Sequence, residues 1–363
     1  MNVVFLTNSV GYGGAEKIMN FVTDYLSTCG HTVTIVNYDT VQSDIAKYPQ
    51  SLNSSVRVIT LDGDDNKSHL SRILKTRSIT KEVQADVILA FTMFPNFYAK
   101  IISMLTGVPS IMSERGDPNI TFTDNPKDKF IRYVINKSKG AVFQTEYAAK
   151  YYSKQLQKRG IVIPNPIFLS GTDIPLVGIK ERDKTVVSVG RLQNVQKRYD
   201  IMLYAFKDFS NKYTDYTLKL YGSGEDEAFI RELICKLELT DKVVLMGAIK
   251  NPINHIYNAG MFLITSDYEG IPNALLEAMA AGLPVVATDC TPGGARMLIT
   301  NNENGQLVPL RDVKAITEAL IKYASDLDFA NKCANNAKNV LNIYDPAKIG
   351  AQWVTYISRI AGL

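Results

Sequence analysis

Apolar and polar positions follow two rhythms along this chain. Short runs rich in Val and Ile, of strand length, alternate with longer stretches whose apolar residues recur at helical spacing. In the first half the runs 2–7, 32–37, 86–90, 109–112 and 140–144 predict strands. The intervening stretches 14–28, 68–80, 96–106, 126–138 and 146–158 predict helices. The pattern then restarts. Runs 185–190, 217–222, 242–247, 261–265 and 284–288 predict strands, with helical stretches near 198–211, 225–238, 252–258 and 273–281. Two or three helices are expected over 311–361. Strand–helix–strand alternation argues for parallel sheets covered on both faces. Pro164 and Pro166 open a polar, Gly- and Pro-containing stretch up to Asp183 that suits a hinge. The reading is an α/β chain of two doubly wound, Rossmann-like domains facing a central cleft. Ligands of such sheets bind beyond the carboxyl ends of the strands, so chemistry is sought in the strand-end loops.

Composition narrows the picture. The chain has 363 residues, 46% hydrophobic and 21% charged, which excludes a disordered, fibrous or disulfide-rich protein and allows two domains with cores of their own. A net charge of +4 is too small for a nucleic-acid binder. Cys29, Cys235, Cys290 and Cys333 form no C-x-x-C pair, and His31, His69 and His255 are scattered. Buried free thiols in a reducing compartment and no metal site are expected. The most nearly membrane-like run, 101–112, is short and contains Gly107 and Pro109. No basic leader precedes the first strand, so a cytoplasmic protein is expected. The charge is uneven: residues 1–168 carry +5 and the remainder −1. Basic residues concentrate at Lys67–Lys81 and Lys127–Lys139. These are either solvated helix faces or an attraction to anionic lipid worth at most ~1 kcal/mol per basic residue. Peripheral attachment is the most the second alternative allows.

The first strand-end loop is Gly11-Tyr12-Gly13-Gly14-Ala15-Glu16, leading into a helix. Gly11 and Gly13 satisfy two positions of the dinucleotide pattern G-x-G-x-x-G, Glu16 breaks the third, and Asp39 would be the ribose-binding acid. A plain tight turn, or a loop approaching a phosphate or sugar at the helix N-terminus, are the other readings.

The second half carries a denser signal. Strand 261–265 runs into Asp267-Tyr268-Glu269-Gly270, and Pro272 suits the first turn of a helix. Between Gly270 and Thr288 the one charged residue is Glu277, set among Ala274, Ala278, Ala280 and Ala281. Glu269 before the helix and Glu277 within it would flank the amide N–H groups of the helix start, near Asn273 and Ala274. A diphosphate fits there, with a sugar on one carboxylate and a ribose on the other. The blander alternative makes Glu269 a helix-entry acid favoured by the dipole and Glu277 a surface residue. Cations for a diphosphate stand at another strand end: Arg191 after Gly190, and Lys197 before the next helix. They too have a blander alternative, as solvated loop residues. The loops at Gly222 and at Gly247-Ala248-Ile249-Lys250 could approach a nucleotide closely.

Together these residues resemble the retaining glycosyltransferases of family 4, with their two-domain GT-B fold. The resemblance spans essentially the whole chain. It rests on Gly13-Gly14-Ala15-Glu16, Ser113-Glu114-Arg115-Gly116-Asp117-Pro118, Pro164-Asn165-Pro166, Gly190-Arg191-Leu192 with Lys197, and above all Glu269 and Glu277 within EGIPNALLEAMAAGLPVVATD. It implies an N-terminal acceptor-binding domain over 1–168, with helix 346–363 and its Trp353 crossing back to it, and a donor-binding domain over 180–345. It implies transfer of a hexose or N-acetylhexosamine from a nucleotide diphosphate sugar, UDP-sugar favoured, without a metal or other cofactor. The acceptor would be lipid-linked or a polysaccharide, as in bacterial capsule, exopolysaccharide or lipid-linked oligosaccharide synthesis, on the inner face of the cytoplasmic membrane. Glu269 would contact the donor sugar, Glu277 the ribose, and Arg191 and Lys197 the departing diphosphate. Gly13, Gly14, Gly222, Ile249, Gly270, Ile271, Asn273, Ala274 and Leu275 would complete the donor site. Many relatives place a histidine where Ser113-Glu114-Arg115 stands. Arg115 either replaces it in catalysis, binds an anionic acceptor, or bridges structural elements. An NAD(P)-dependent oxidoreductase and a non-catalytic sugar-binding assembly partner are the competing functions.

Overall fold

The computed structural model describes residues 1–10, 14–38, 53–61, 68–168, 175 and 177–363. The chain divides into two compact units, Met1–Pro166 with Pro346–Leu363, and Ile167–Asp345. Each is built on its own parallel sheet.

In the first unit, strands β1 (Asn2–Thr7), β2 (Thr32–Asn37), β3 (Arg57–Thr60), β4 (Val87–Phe91), β5 (Ser110–Glu114), β6 (Gly140–Phe143) and β7 (Ile161–Val162) form a sheet ordered β3-β2-β1-β4-β5-β6-β7. Val3 to Leu6 and Val87 to Phe91 are buried throughout, as strands covered on both faces must be. The connection from β1 to β2 runs one way across the sheet and those from β4 to β5 and β5 to β6 the other. Right-handed crossovers therefore put helix Gly14–Thr28 on one face and helices His69–Glu82, Met93–Thr106 and Pro126–Ile135 on the opposite face. The helix Pro346–Ala361 packs beside Gly14–Thr28. It buries Trp353, and the Tyr356 hydroxyl accepts from the Ala141 N–H (2.8 Å) and donates to the Arg159 carbonyl (2.6 Å).

In the second unit, β8 (Asp183–Val189), β9 (Thr217–Tyr221), β10 (Val243–Gly247), β11 (Ala259–Ile264), β12 (Val285–Thr288) and β13 (Gln306–Val308) run parallel in the order β10-β9-β8-β11-β12-β13. One face is covered by a cluster containing Phe206, Phe209, Leu320 and Tyr323. The other is covered by Phe262, Leu275, Leu276 and Met279, which bring helix Asn273–Ala280 onto the sheet.

Three strands lie outside the sequence pattern: β3, β7 and β13. Each is short and at a sheet edge, where one side needs no partner and a long apolar run is not required. The helix expected over 146–158 is two, Glu146–Lys150 and Lys154–Arg159, because the Ser153 hydroxyl accepts the Leu156 N–H (3.3 Å) and starts a new helix. The closing helices number four among the described residues: Val313–Ser325, Leu327–Ala337, Val340–Ile343 and Pro346–Ala361. Of the four free thiols, Cys290 and Cys333 are buried, but Cys29 and Cys235, near the ends of helices, are exposed.

Candidate active site

The second sheet reverses its winding between β8 and β11, which leave the sheet at the topological switch point. Val189 at the end of β8 passes into Gly190 and Arg191. Ile264 at the end of β11 passes into the loop 265–272. The structure ties these two strand ends together. The Lys197 ammonium pairs with the Glu269 carboxylate, and their side chains are only 16% and 11% exposed. Ser266 Oγ donates to the same carboxylate oxygen (2.8 Å). The Thr265 hydroxyl donates to the carbonyls of Lys197 (2.8 Å) and Arg198 (3.1 Å). The Gln196 amide donates to the Tyr268 carbonyl (3.1 Å), and the Asp267 N–H to the Gln196 carbonyl (2.8 Å). Asp267 accepts from Arg198 (3.3 Å) and, bidentately, from Arg311 (2.6 and 3.0 Å).

Glycines set the floor. Gly222, after β9, has φ +147°, and a Cβ there would lie 1.8 Å from the Gly190 carbonyl oxygen. Lys197 lies along Gly190, where a Cβ would meet its Cε at 3.3 Å. At the other side of the loop, a Cβ on Gly294 would lie 1.6 Å from the Gly270 carbonyl oxygen, so the helix start at 294 presses directly on 270–271. The Glu269 N–H donates to the Thr291 carbonyl (2.8 Å), pinning this loop from behind.

Helix Asn273–Ala280 then begins with Pro272 at its N-cap, a residue whose side chain makes no capping hydrogen bond. Asn273 and Ala274 are half-buried and Leu275 is buried. Glu277 is 5% exposed, which removes the alternative of a surface residue. Arg191 is exposed and has no ion-pair partner among the described residues, so it is available to an anion. Ile249, beyond β10, is half-buried against the cluster under this helix. The negative field of Glu269 is felt around it. Burial pushes the Cys290 thiol up to about 12, with Glu269 adding to the rise. Burial and then Glu269 likewise raise the Tyr199 and Tyr268 hydroxyls. This set can do three things: present cations to a diphosphate, offer a carboxylate to hydroxyls, and bring backbone close to a flat ligand.

The first-unit candidates fall differently. Gly13 lies outside the described residues, as do Gly11, Tyr12 and Asp39. Gly14 opens helix Gly14–Thr28. Arg115 follows β5 and is enclosed. Its guanidinium donates to the Asn165 amide oxygen and lies 5.1 Å from the Phe91 ring centroid and 5.9 Å from that of Trp353. Its Nε and Nη1 and the Trp353 indole Nε1 have no hydrogen-bond partner among the described residues. Burial pushes the guanidinium down to about 9, against the opposing pull of Glu114. These contacts join β4, β5, Asn165 and the returning helix, as the bridging reading of Arg115 expects. Next to it Glu114 is buried, accepting from the N–H groups of Arg115 and Gly116 (3.0 Å each) and from Tyr152 (2.5 Å). Its carboxyl is raised above 4.5, chiefly by burial.

Sequence reasoning missed Ser266, Asp267 and Gly294. Ser266 and Asp267 stand beside Glu269 in the same motif; Ser266 reaches back to Glu269 only once the loop folds, and the partners of Asp267, Arg198 and Arg311, come from distant loops. The signal for Gly294 is the Thr291-Pro292-Gly293-Gly294 run, whose contact with Gly270 no spacing reveals.

Comparison with known proteins agrees with this architecture. The family pattern described as Glycosyltransferase Family 4 matches residues 12–170, and that described as Glycosyl transferases group 1 matches residues 172–340. An uncharacterized glycosyltransferase of Haemophilus influenzae is 24% identical, over 96% of this chain and 97% of its own. A Campylobacter jejuni protein named as N-acetylgalactosamine-N,N'-diacetylbacillosaminyl-diphospho-undecaprenol 4-alpha-N-acetylgalactosaminyltransferase is 23% identical over the same shares. The crystal structure of Anabaena HepE in complex with UDP superposes with a TM-score of 0.82 at 18% identity, over 99% of this chain and 100% of that one. The chain belongs to the glycosyltransferases of GT-B fold, related to enzymes of bacterial glycan synthesis, and it transfers sugar from a nucleotide-sugar donor to an acceptor.

Proposed function

We propose that this protein is a retaining, metal-independent transferase of family 4. It moves a hexose or N-acetylhexosamine from a UDP-sugar to a lipid-linked or polysaccharide acceptor at the inner face of a bacterial cytoplasmic membrane. The observation that carries this is the Lys197–Glu269 pair at the switch point, in the loop that leads into helix Asn273–Ala280. Arg191 and Lys197 take the diphosphate, with amides of the helix start behind it. Glu269 accepts from hydroxyls of the donor sugar, and Glu277 from the ribose. The bond from the anomeric carbon to the diphosphate breaks with its electron pair going to the phosphate oxygen. The acceptor hydroxyl bonds to the same face of the sugar and its proton passes to the leaving diphosphate. Fixed positive groups stabilise that departing charge without a covalent intermediate. The named Campylobacter relatives act on undecaprenol-linked glycans, which supports a lipid-linked acceptor. HepE was crystallised with UDP and with UDP-glucose, which supports uridine.

The test is a thermal-shift panel with UDP, GDP, ADP and NAD in the presence of a chelator. Ligand at about 100 times its dissociation constant adds about 2.7 kcal/mol, a rise of several degrees. The expected result is a rise with UDP that is lost in Arg191→Ala, together with near-complete loss of transfer in Glu269→Ala. A rise with NAD alone, or unchanged turnover in Glu269→Ala, would overturn the reading.

A further inference from the structure

We propose that the outer face of helices His69–Glu82, Met93–Thr106 and Pro126–Ile135 in the first unit is a docking surface for an anionic lipid bilayer. The proposal deepens the lipid-linked acceptor reading, but its evidence is separate from the donor site. The three helices lie side by side, with Met93–Thr106 in the middle. Aromatic contacts lock them laterally: Phe97 against Phe130 (6.2 Å between centroids) and His69 stacked on Phe94 (5.2 Å).

Each helix buries one apolar stripe and exposes another. Met93–Thr106 buries Tyr98, Ala99 and Ile102, yet Met104 and Leu105 face solvent. Leu70 (65% exposed) and Leu74 share a face of His69–Glu82, and Phe130 (58%) and Tyr133 (61%) stand on Pro126–Ile135. Scattered exposed apolar residues are ordinary, but six on three adjoining helices of one sheet face are more than scatter and ask for a cover.

The charges identify the cover. The same three helices carry eight basic residues and two acids, Glu82 and Asp128. Glu82 is paired with Arg57, and Asp128 is folded back onto the Thr123 N–H and hydroxyl and the Asn125 amide. No acid on these helices is left to balance the face. A protein partner of ordinary kind would find lysines interspersed among its apolar contacts, and the cores of protein interfaces are depleted of them. Leu, Phe and Tyr interspersed with Lys and Arg is instead the composition of a surface that sits at the headgroup boundary, apolar side chains inward and cations on the phosphates.

The experiment is flotation of the full chain with vesicles of phosphatidylglycerol or of phosphatidylcholine, at low and moderate salt. Three proteins are compared: the unaltered chain, Lys75→Gln with Lys81→Gln, and Leu74→Ser with Phe130→Ser and Tyr133→Ser. All substituted side chains are exposed, and an unchanged UDP-induced thermal shift serves as the control for folding. The expected result is salt-weakened flotation with phosphatidylglycerol only. It falls about tenfold or more in the double glutamine variant, at ~1 kcal/mol per cation, and is lost in the triple serine variant. Absence of flotation at either salt, equal binding to both lipids, or unaltered binding by both variants would overturn the proposal. So would self-association of the chain abolished by the serine variant without lipid binding, which would make the face a contact between copies. A failed UDP shift with intact flotation would instead count against the donor site alone.

Discussion

Glu269→Gln and Lys197→Met should move the affinity for UDP in opposite directions. The ammonium that a diphosphate needs is held by Glu269 in a largely enclosed pair. UDP therefore competes with a carboxylate that also repels it. With an effective dielectric of 20 and a phosphate about 6 Å from the carboxylate, that repulsion is about 2–3 kcal/mol per unit charge. Glutamine keeps the shape and the Ser266 contact but removes the charge and releases the ammonium. UDP should bind at least about tenfold tighter, since ~1.4 kcal/mol suffices for one decade. Lys197→Met removes a charge-assisted bond of ~1.5–3 kcal/mol and leaves the Glu269 charge without its counterion, so UDP should bind about 10- to 100-fold more weakly. Sugar transfer should be lost in both. Calorimetric titration with UDP and with the intact UDP-sugar separates the terms. Glutamine loses a sugar contact, so its gain should shrink or reverse with the sugar attached. Weaker or unchanged UDP binding in Glu269→Gln would refute the idea that the pair guards the diphosphate position.

Two further outcomes are expected. Gly294→Ala places a methyl group against the Gly270 carbonyl, backbone on backbone, so relaxation must move the 269–271 loop. Urea unfolding should show a loss of about 1–3 kcal/mol, and UDP titration a parallel loss of affinity; unaltered values in both would refute the contact. Glu114 binds its proton more tightly folded than unfolded, since its carboxyl is raised above 4.5 by burial. Its contribution to stability is therefore full below 4.5 and is lost as pH rises through the raised folded value. Glu114→Gln should flatten that decline in urea midpoints measured upward from this pH, and an unchanged slope would refute the assignment.

The architecture was legible because parallel strands covered on both faces must be apolar throughout. The runs at 2–7, 32–37 and 217–222 mark strands within a residue of where they lie. Three of the four edge strands were not legible, because a segment such as Arg57–Thr60 needs to satisfy only one neighbour, whereas the fourth, Val243–Gly247, is apolar enough to be marked. Around the candidate site, Glu269, Arg191 and Lys197 stood out in strand-end loops and Glu277 as the one charge of its helix. Their grouping was partly legible: both loops were expected at the carboxyl edge, and the structure joins Lys197 to Glu269. The clamp formed by Asp267 with Arg198 and Arg311 was not, since it unites residues more than forty positions apart through side chains that look like ordinary surface charges. Arg115 shows the converse. Its motif invited a chemical role, while its enclosure between Phe91 and Trp353 depends on a helix made at the far end of the unit's discontinuous chain.

That returning helix has a consequence for biosynthesis. The sheet of the first unit is translated before the second unit, yet Phe91, Ala141 and Tyr25 receive their partners Trp353, Tyr356 and Ala347 only after residue 345 has emerged. The usual vectorial order, in which the earlier domain is finished before the later one begins, cannot apply. The first unit must wait on the ribosome with an open flank, while the second, continuous from Ile167 to Asp345, is free to close ahead of it. Premature termination anywhere between the two would therefore release a first unit lacking its last covering helix, a natural substrate for chaperones and proteases rather than a half-active enzyme.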